Sequence, residues 1–211
     1  MKTLSQKRER RRSLPSLVSG VYTEFTGCKP LPKAVQLRPI IFIFGPAGVG
    51  KTIVAKHLLA GEHTLYRQQE LMEAFLQKVR KRRWPTELST ADNLIVEGPC
   101  FLEQRPQILT MLQSLTRLRL KKGLRTIILD AEDLGPVRQI LRSIPPEERA
   151  SIVLRFPEGR GRYRFLAHAC RDRGIPLRHA RRLMTLEPWN YASVFRDLEA
   201  LNEDEKSCGN L

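Results

Sequence analysis

The sequence has little of what marks secreted scaffolds, membrane proteins and metal sites. Its four cysteines, Cys28, Cys100, Cys170 and Cys208, are scattered through 211 residues. None forms a Cys-x-x-Cys pair or falls at metal-ligand spacing, which excludes a disulfide framework and points to a reducing, cytoplasmic setting. No apolar run approaches the roughly 18 residues that a membrane span needs. The four histidines, His57, His63, His168 and His179, are dispersed, so packing or surface roles are expected of them. No Ser/His/Asp grouping is present and no repeat recurs. Acid is also scarce: 22 Asp and Glu stand against 37 Lys and Arg, a formal net charge of +15. Arginine supplies most of that surplus. Such a balance favours a polyanionic partner, nucleic acid or an anionic membrane face, and leaves the fold open. An apolar share of 41% excludes wholesale disorder.

What is present begins with a basic arm over residues 1–37, which carries the run Lys7-Arg8-Glu9-Arg10-Arg11-Arg12. The apolar stretch behind it is too broken by Ser, Pro and Gly to be a signal-peptide core. A flexible arm contacting nucleic acid or a partner protein is expected; an Arg-rich organelle transit peptide and a solubilising tail are the alternatives.

The chemistry starts at Ile40-Ile41-Phe42-Ile43-Phe44, an apolar run that reads as a strand buried on both faces. Gly45-Pro46-Ala47-Gly48-Val49-Gly50-Lys51-Thr52 follows, with the Gly-x-x-x-x-Gly-Lys-Thr spacing of a phosphate-binding loop, the Walker A motif. Its glycines let backbone N–H groups converge on phosphates. Lys51 is expected to reach the β and γ phosphates, and Thr52 to ligate magnesium. Ile53 to Leu59 is apolar at helical spacing, so a helix N-terminus would face the anion. The expected ligand is a nucleoside triphosphate with Mg2+.

The rest alternates. Strands are expected at 64–66, 94–97, 126–130 and 151–156, with helices at 68–81, 106–122 and 136–142 between them. Three helices then trail, at 162–173, 177–184 and 189–201, separated by Gly174-Ile175-Pro176 and Glu187-Pro188. The expected fold class is therefore an α/β, three-layer P-loop NTPase with a parallel sheet. It would hold a core over residues 38–157, a small helical lid over 158–201 and a polar tail over 202–211.

This order of elements resembles the AAA+ ATPase domain of the replication initiator DnaA, its relative Hda and the DnaC-type helicase loaders, over about Arg38 to Leu201. Leu65-Tyr66-Arg67-Gln68-Gln69-Glu70-Leu71, running on to Ala74-Phe75, is similar to that family's second strand and the helix after it. Ala91 to Leu102 resembles its Walker B strand, with Phe101-Leu102 in the expected place, and Thr126 to Asp130 stands where the sensor 1 strand would be. Val194-Phe195-Arg196-Asp197-Leu198 looks like the lid helix of sensor 2, which gives that role to Arg196.

One departure bears on catalysis. The family's Walker B strand ends in two acids, one near the metal and one that positions water; the matching pair here is Glu97 and Gly98. Glu97 would serve the metal shell, while Gly98 has no side chain to orient water, so hydrolysis is expected to be weak or absent. In another register Asp130 or Glu132 supplies the acid.

Basic residues cluster at 7–12, at 78–83 beside Trp84, at the end of the long helix (Arg117, Arg119, Lys121, Lys122, Arg125), and from Arg155 to Arg182. Phosphate backbones attract such surfaces through counterion release. Trp84 could stack on an unpaired base. One of Arg155, Arg160 and Arg162 could act in trans on a neighbour's nucleotide. The expected function is an ATP-dependent switch acting on DNA or a DNA-bound partner, as an initiation regulator, helicase loader or transposition helper. The alternative is a nucleoside- or shikimate-type kinase, with Arg160 to Arg164 in a mobile lid.

Overall fold

Ile40–Phe44 forms β1, and every residue of it is buried. A strand so uniformly apolar can only sit inside a sheet covered on both faces. In the computed structural model, which describes residues 37–59, 61–98, 106–131, 135–186 and 189–208, it does so. The chain continues through α1 (Lys51–Leu59), β2 (Thr64–Tyr66), α2 (Gln68–Lys81), α3 (Thr86–Thr90), β3 (Asn93–Glu97) and α4 (Pro106–Lys121). Then come β4 (Arg125–Asp130), α5 (Gly135–Arg142), a 3-10 turn (Pro146–Glu148) and β5 (Arg149–Val153). Three helices complete it: α6 (Gly159–Arg171), α7 (Arg178–Leu183) and α8 (Tyr191–Cys208).

The five strands form one sheet in the order β2-β3-β4-β1-β5. Every pairing is parallel; Ile40 stands opposite Thr126 on one side of β1 and Arg149 on the other. Alternation along the strands divides the core. Ile40, Phe42, Phe44, Leu94, Val96 and Ile128 share a cluster with Leu71 and Phe75 of α2, Leu88 of α3, Leu109, Leu112 and Leu115 of α4, and Val137 and Ile140 of α5. The intervening residues Ile41, Ile43, Ile95, Ile127 and Leu129 are as deeply buried. Helix α1 lies against β1, β3 and β4.

The chain divides into two compact units. Of the described residues, one holds 37–46 and Lys51–Leu154; the other holds Ala47–Gly50 with the chain from Arg155 onward. The second unit is organised by rings. Phe165 packs edge-on to Trp189, Tyr191 and Phe195, with centroids 6.1, 4.9 and 5.9 Å away. Phe156 joins them through Trp189 at 5.6 Å.

Several expectations need correction. The last strand runs over Arg149–Val153 rather than 151–156, because Arg149 and Ala150 continue the ladder with Ile40 and Ile41. Phe156 has left the sheet for the ring cluster. Helix α3 and the 3-10 turn were not foreseen. Helix α8 runs to Cys208, past the expected end at Leu201. The basic arm, with its cluster at 7–12, lies outside the described residues, as do Cys100, Phe101-Leu102, Glu132 and Glu187-Pro188. Cys170 is a buried free thiol whose pKa burial pushes up, against the pull of Arg173. Among the described residues, no helix is long and apolar enough to cross a membrane.

Candidate nucleotide site

In a doubly wound sheet, ligands gather beyond the carboxyl ends of the strands, where the strand order changes direction. Here that place is the end of β1, between β4 and β5, and the Gly45–Thr52 loop lies there. Helix α1 begins at Lys51, so its first-turn N–H groups, which lie outside the intrahelical ladder, sit at the loop. The Lys51 ammonium folds over the loop and donates to the carbonyls of Gly45 and of Pro46, the latter at 2.9 Å. Val49 is wholly buried and anchors the loop from within.

Thr52 and Glu97, 45 positions apart in sequence, come together. The Thr52 hydroxyl donates to Glu97 Oε1 at 3.1 Å. Glu97 ends β3, and β4 lies between β3 and β1, so the sheet sets the carboxylate one strand away from the loop. Both side chains are half-buried. Asp130, the acid of the alternative register, ends β4; it is almost wholly buried and its Oδ1 accepts the N–H of Ala131 at 2.8 Å. Of the two described acids, Glu97 is the one hydrogen-bonded to Thr52.

The residue after Glu97 is held in the left-handed region. Gly98 has φ +71°, and its N–H donates to Leu129 O at 2.9 Å. A β-carbon there would meet only Gln68, at 3.9 Å, so space is available but the backbone disfavours any side chain. Gly48 has φ +77°, and a β-carbon on it would stand 2.9 Å from Asn190 Cβ. Asn190 was not singled out in the sequence. An Asn just before a helix signals an N-cap, but nothing local says which loop it meets.

Arg196 lies on α8 and is exposed. The other basic residues divide. Arg80, Lys81, Arg82 and Arg83 at the end of α2 are exposed. Trp84 is not the open stacking platform expected from its neighbours. It is half-buried against the main core, with its ring 5.7 Å from Phe75 and Lys78 Nζ 5.7 Å above it. Arg119 is fully buried. It donates to Thr126 Oγ1 at 2.9 Å, Leu88 O at 3.0 Å, Ala91 O at 2.8 Å and Arg125 O at 2.7 Å. Burial pulls its pKa down to about 10, with Asp92 opposing, so it stays a cation at neutral pH. Arg162 donates to Pro157 O at 3.2 Å and Met184 O at 3.4 Å, with its guanidinium 4.8 Å over Trp189.

Sheet order, loop and helices define the class: this is the fold of an AAA+ P-loop ATPase domain similar to that of DnaA. Domain III of the DnaA of Thermotoga maritima matches 92% of this chain and 84% of its own, with TM-score 0.64 and 12% identity. AMPPCP-bound DnaA of Aquifex aeolicus matches at TM-score 0.64 and 13% identity, over 86% of this chain and 59% of its own. A DnaA bound to AMPPCP and single-stranded DNA matches at TM-score 0.63 and 14% identity, over 83% of this chain. This chain spans 62% of that last protein's length. No protein-family model matches the sequence, and no curated protein matches it.

Proposed function

We propose that this protein binds ATP at Gly45 to Thr52 and acts as a nucleotide-dependent switch on DNA or on a DNA-bound partner. The observation that carries the nucleotide reading is the 3.1 Å hydrogen bond between Thr52 and Glu97. It puts a hydroxyl and a carboxylate side by side at the mouth of a phosphate loop. Two hard oxygen donors of this kind suit Mg2+, which takes one or two protein oxygens and fills the rest of its shell with phosphate and water. The ion would neutralise charge on the phosphates. Lys51 would turn from the loop carbonyls to the phosphate oxygens, and the start of α1 would supply N–H donors.

Gly98 makes turnover weak or absent in this reading, because the residue after Glu97 offers no group to orient a water. Binding rather than hydrolysis then carries the signal. In this division of the chain, residues 38–157 are the core and 158–201 the lid, and Arg196 reads the triphosphate from α8. DNA as the target draws on three supports: the +15 charge, the exposed cations at the end of α2 and in α6 and α7, and the likeness to a DnaA that holds single-stranded DNA. Arg162 weakens the kinase alternative, since two carbonyls and a ring already hold it in the segment which that reading needs as a mobile lid.

The test is fluorescence anisotropy of labelled single- and double-stranded DNA, titrated with the protein alone, with ADP and with ATP at two salt concentrations. ATP-dependent binding with a steep salt slope is the expected result. Binding that ignores nucleotide, or no binding, would defeat the DNA-directed switch.

A further inference from the structure

Asn190 does two things at once. It caps α8: its Oδ1 accepts the N–H of Ser193 at 2.8 Å and its carbonyl accepts that of Val194 at 3.1 Å. It also occupies the space over Gly48. A β-carbon on Gly48 would lie 2.9 Å from Asn190 Cβ, 3.4 Å from Cγ and 3.6 Å from Oδ1. Ala47–Gly50 and Asn190 belong to the same compact unit, so this approach is internal to it. The residues on either side hold Asn190 in place. Trp189 and Tyr191 are each only 6% exposed, their rings are 5.2 Å apart, and both pack on Phe156 and Phe165. The cap cannot swing off the loop without disturbing that cluster.

From this geometry we propose that Asn190 is a positioning residue of the phosphate loop, bracing Gly48 and tying the loop's conformation to the first turn of α8. The inference rests on the reading of Gly45 to Thr52 as a nucleotide site. A neutral amide suits the place: it fills the space above Gly48 and caps the helix while adding no negative charge beside an anion cradle. The same brace couples binding to α8, because a loop fixed on phosphates also fixes Asn190 and the helix it starts.

Asn190→Asp separates this role from simple capping. Asp caps a helix as well as Asn does, so the melting curve should match wild type. A carboxylate next to the loop should weaken binding of a fluorescent ATP analogue by about tenfold, less for ADP, with the loss shrinking as salt rises. A second pair tests the approach itself. Gly48→Ala should lose affinity, and adding Asn190→Gly should restore part of it, since Gly is tolerated at a cap and removes the clash. Wild-type ATP affinity and salt response in Asn190→Asp would overturn the proposal. So would a Gly48→Ala defect that Asn190→Gly leaves unchanged. Lys51→Ala is the control: unchanged affinity there would overturn the nucleotide site itself, whereas lost affinity there with a normal Asn190→Asp variant sinks only the brace.

Discussion

The two compact units differ in how deeply they bury arginine: the sheet unit seals Arg119 completely, and no described arginine of the helical unit is buried. In the sheet unit several cations bond to backbone carbonyls, while Arg67, Arg80, Arg82, Arg83, Arg117 and Arg142 stay exposed. Arg119 is sealed beneath α3 and β4, Arg125 reaches back to Leu58 O at 3.2 Å, and Arg149 donates to Leu141 O. Lys122 donates to Ser89 O at 3.2 Å. In the helical unit seven of the nine arginines from Arg155 to Arg182 are exposed. The other two lie over rings, Arg162 on Trp189 at 4.8 Å and Arg173 on Phe195 at 5.2 Å. Net charge therefore overstates what the sheet unit presents to a polyanion. Arg119, Arg125 and Arg149 bond to backbone carbonyls, a structural task that a guanidinium with five donors performs well. Exposed cations cluster most densely in α6 and α7 and at the end of α2.

The sharpest way to break that comparison is Arg119→Met. Were Arg119 a surface cation, the change would move stability by less than about 0.5 kcal/mol. Sealed as it is, its removal strands three carbonyls and the Thr126 hydroxyl, and about 3 kcal/mol of stability should go with it. Urea denaturation followed by circular dichroism measures this, and DNA binding of the folded fraction should not change. Next in size is Lys51→Ala. Removing a charge-assisted hydrogen bond to phosphate should weaken ATP binding by about 10- to 100-fold, read by a fluorescent analogue, with the melting temperature of the ligand-free protein little altered.

The sequence made the sheet unit's skeleton legible because its signals are local. The run of five apolar residues at Ile40 to Phe44 and the loop after it are each complete within a dozen residues, and Thr52 and Glu97, which the fold brings within a hydrogen bond, stand out from that motif and a strand end. Errors came where tertiary packing overrode local appearance. Trp84 stands among cations in the chain, yet its ring turns to Phe75. Arg119 sat in a basic stretch, but its spacing from Leu112, Leu115 and Thr116 put it on the buried face of α4, a helical-period signal that its charge concealed. Phe156 continued the alternation of β5 and so looked like strand. Its partners, Trp189 and Tyr191, lie more than thirty residues on, and no periodicity points to them.

The comparison can be sharpened by charge reversal in two places. Replacing exposed Arg160, Arg164 and Arg181 with Glu in the helical unit, against Arg80, Lys81 and Arg83 with Glu at the end of α2, asks which surface meets phosphate. Every phosphate deprived of its cation should lower the salt slope of DNA binding by about one. The helical-unit variant should show the greater drop. Equal drops would mean that one nucleic-acid path crosses both surfaces, and no change in either would hand the arginines to a protein partner.

The smallest expected effect concerns Gly98, where chemistry and conformation make different demands. A side chain there meets only Gln68 at ordinary van der Waals distance, so Gly98→Ala carries no clash. It does force a β-carbon into the left-handed region, which costs about 1 kcal/mol. Thermal melting should register that as a fall of about 2–4 °C, with ATP affinity unchanged. Gly98→Glu would bear the same strain while restoring an acid after Glu97. If it raises ATP turnover above wild type, the missing side chain is what limits hydrolysis. If turnover stays at the wild-type level while the melting temperature falls as for Ala, the limit lies elsewhere in the site. Glycine at this position would then reflect the turn out of β3, where Gly98 N–H must reach Leu129 O, rather than the loss of a catalytic acid.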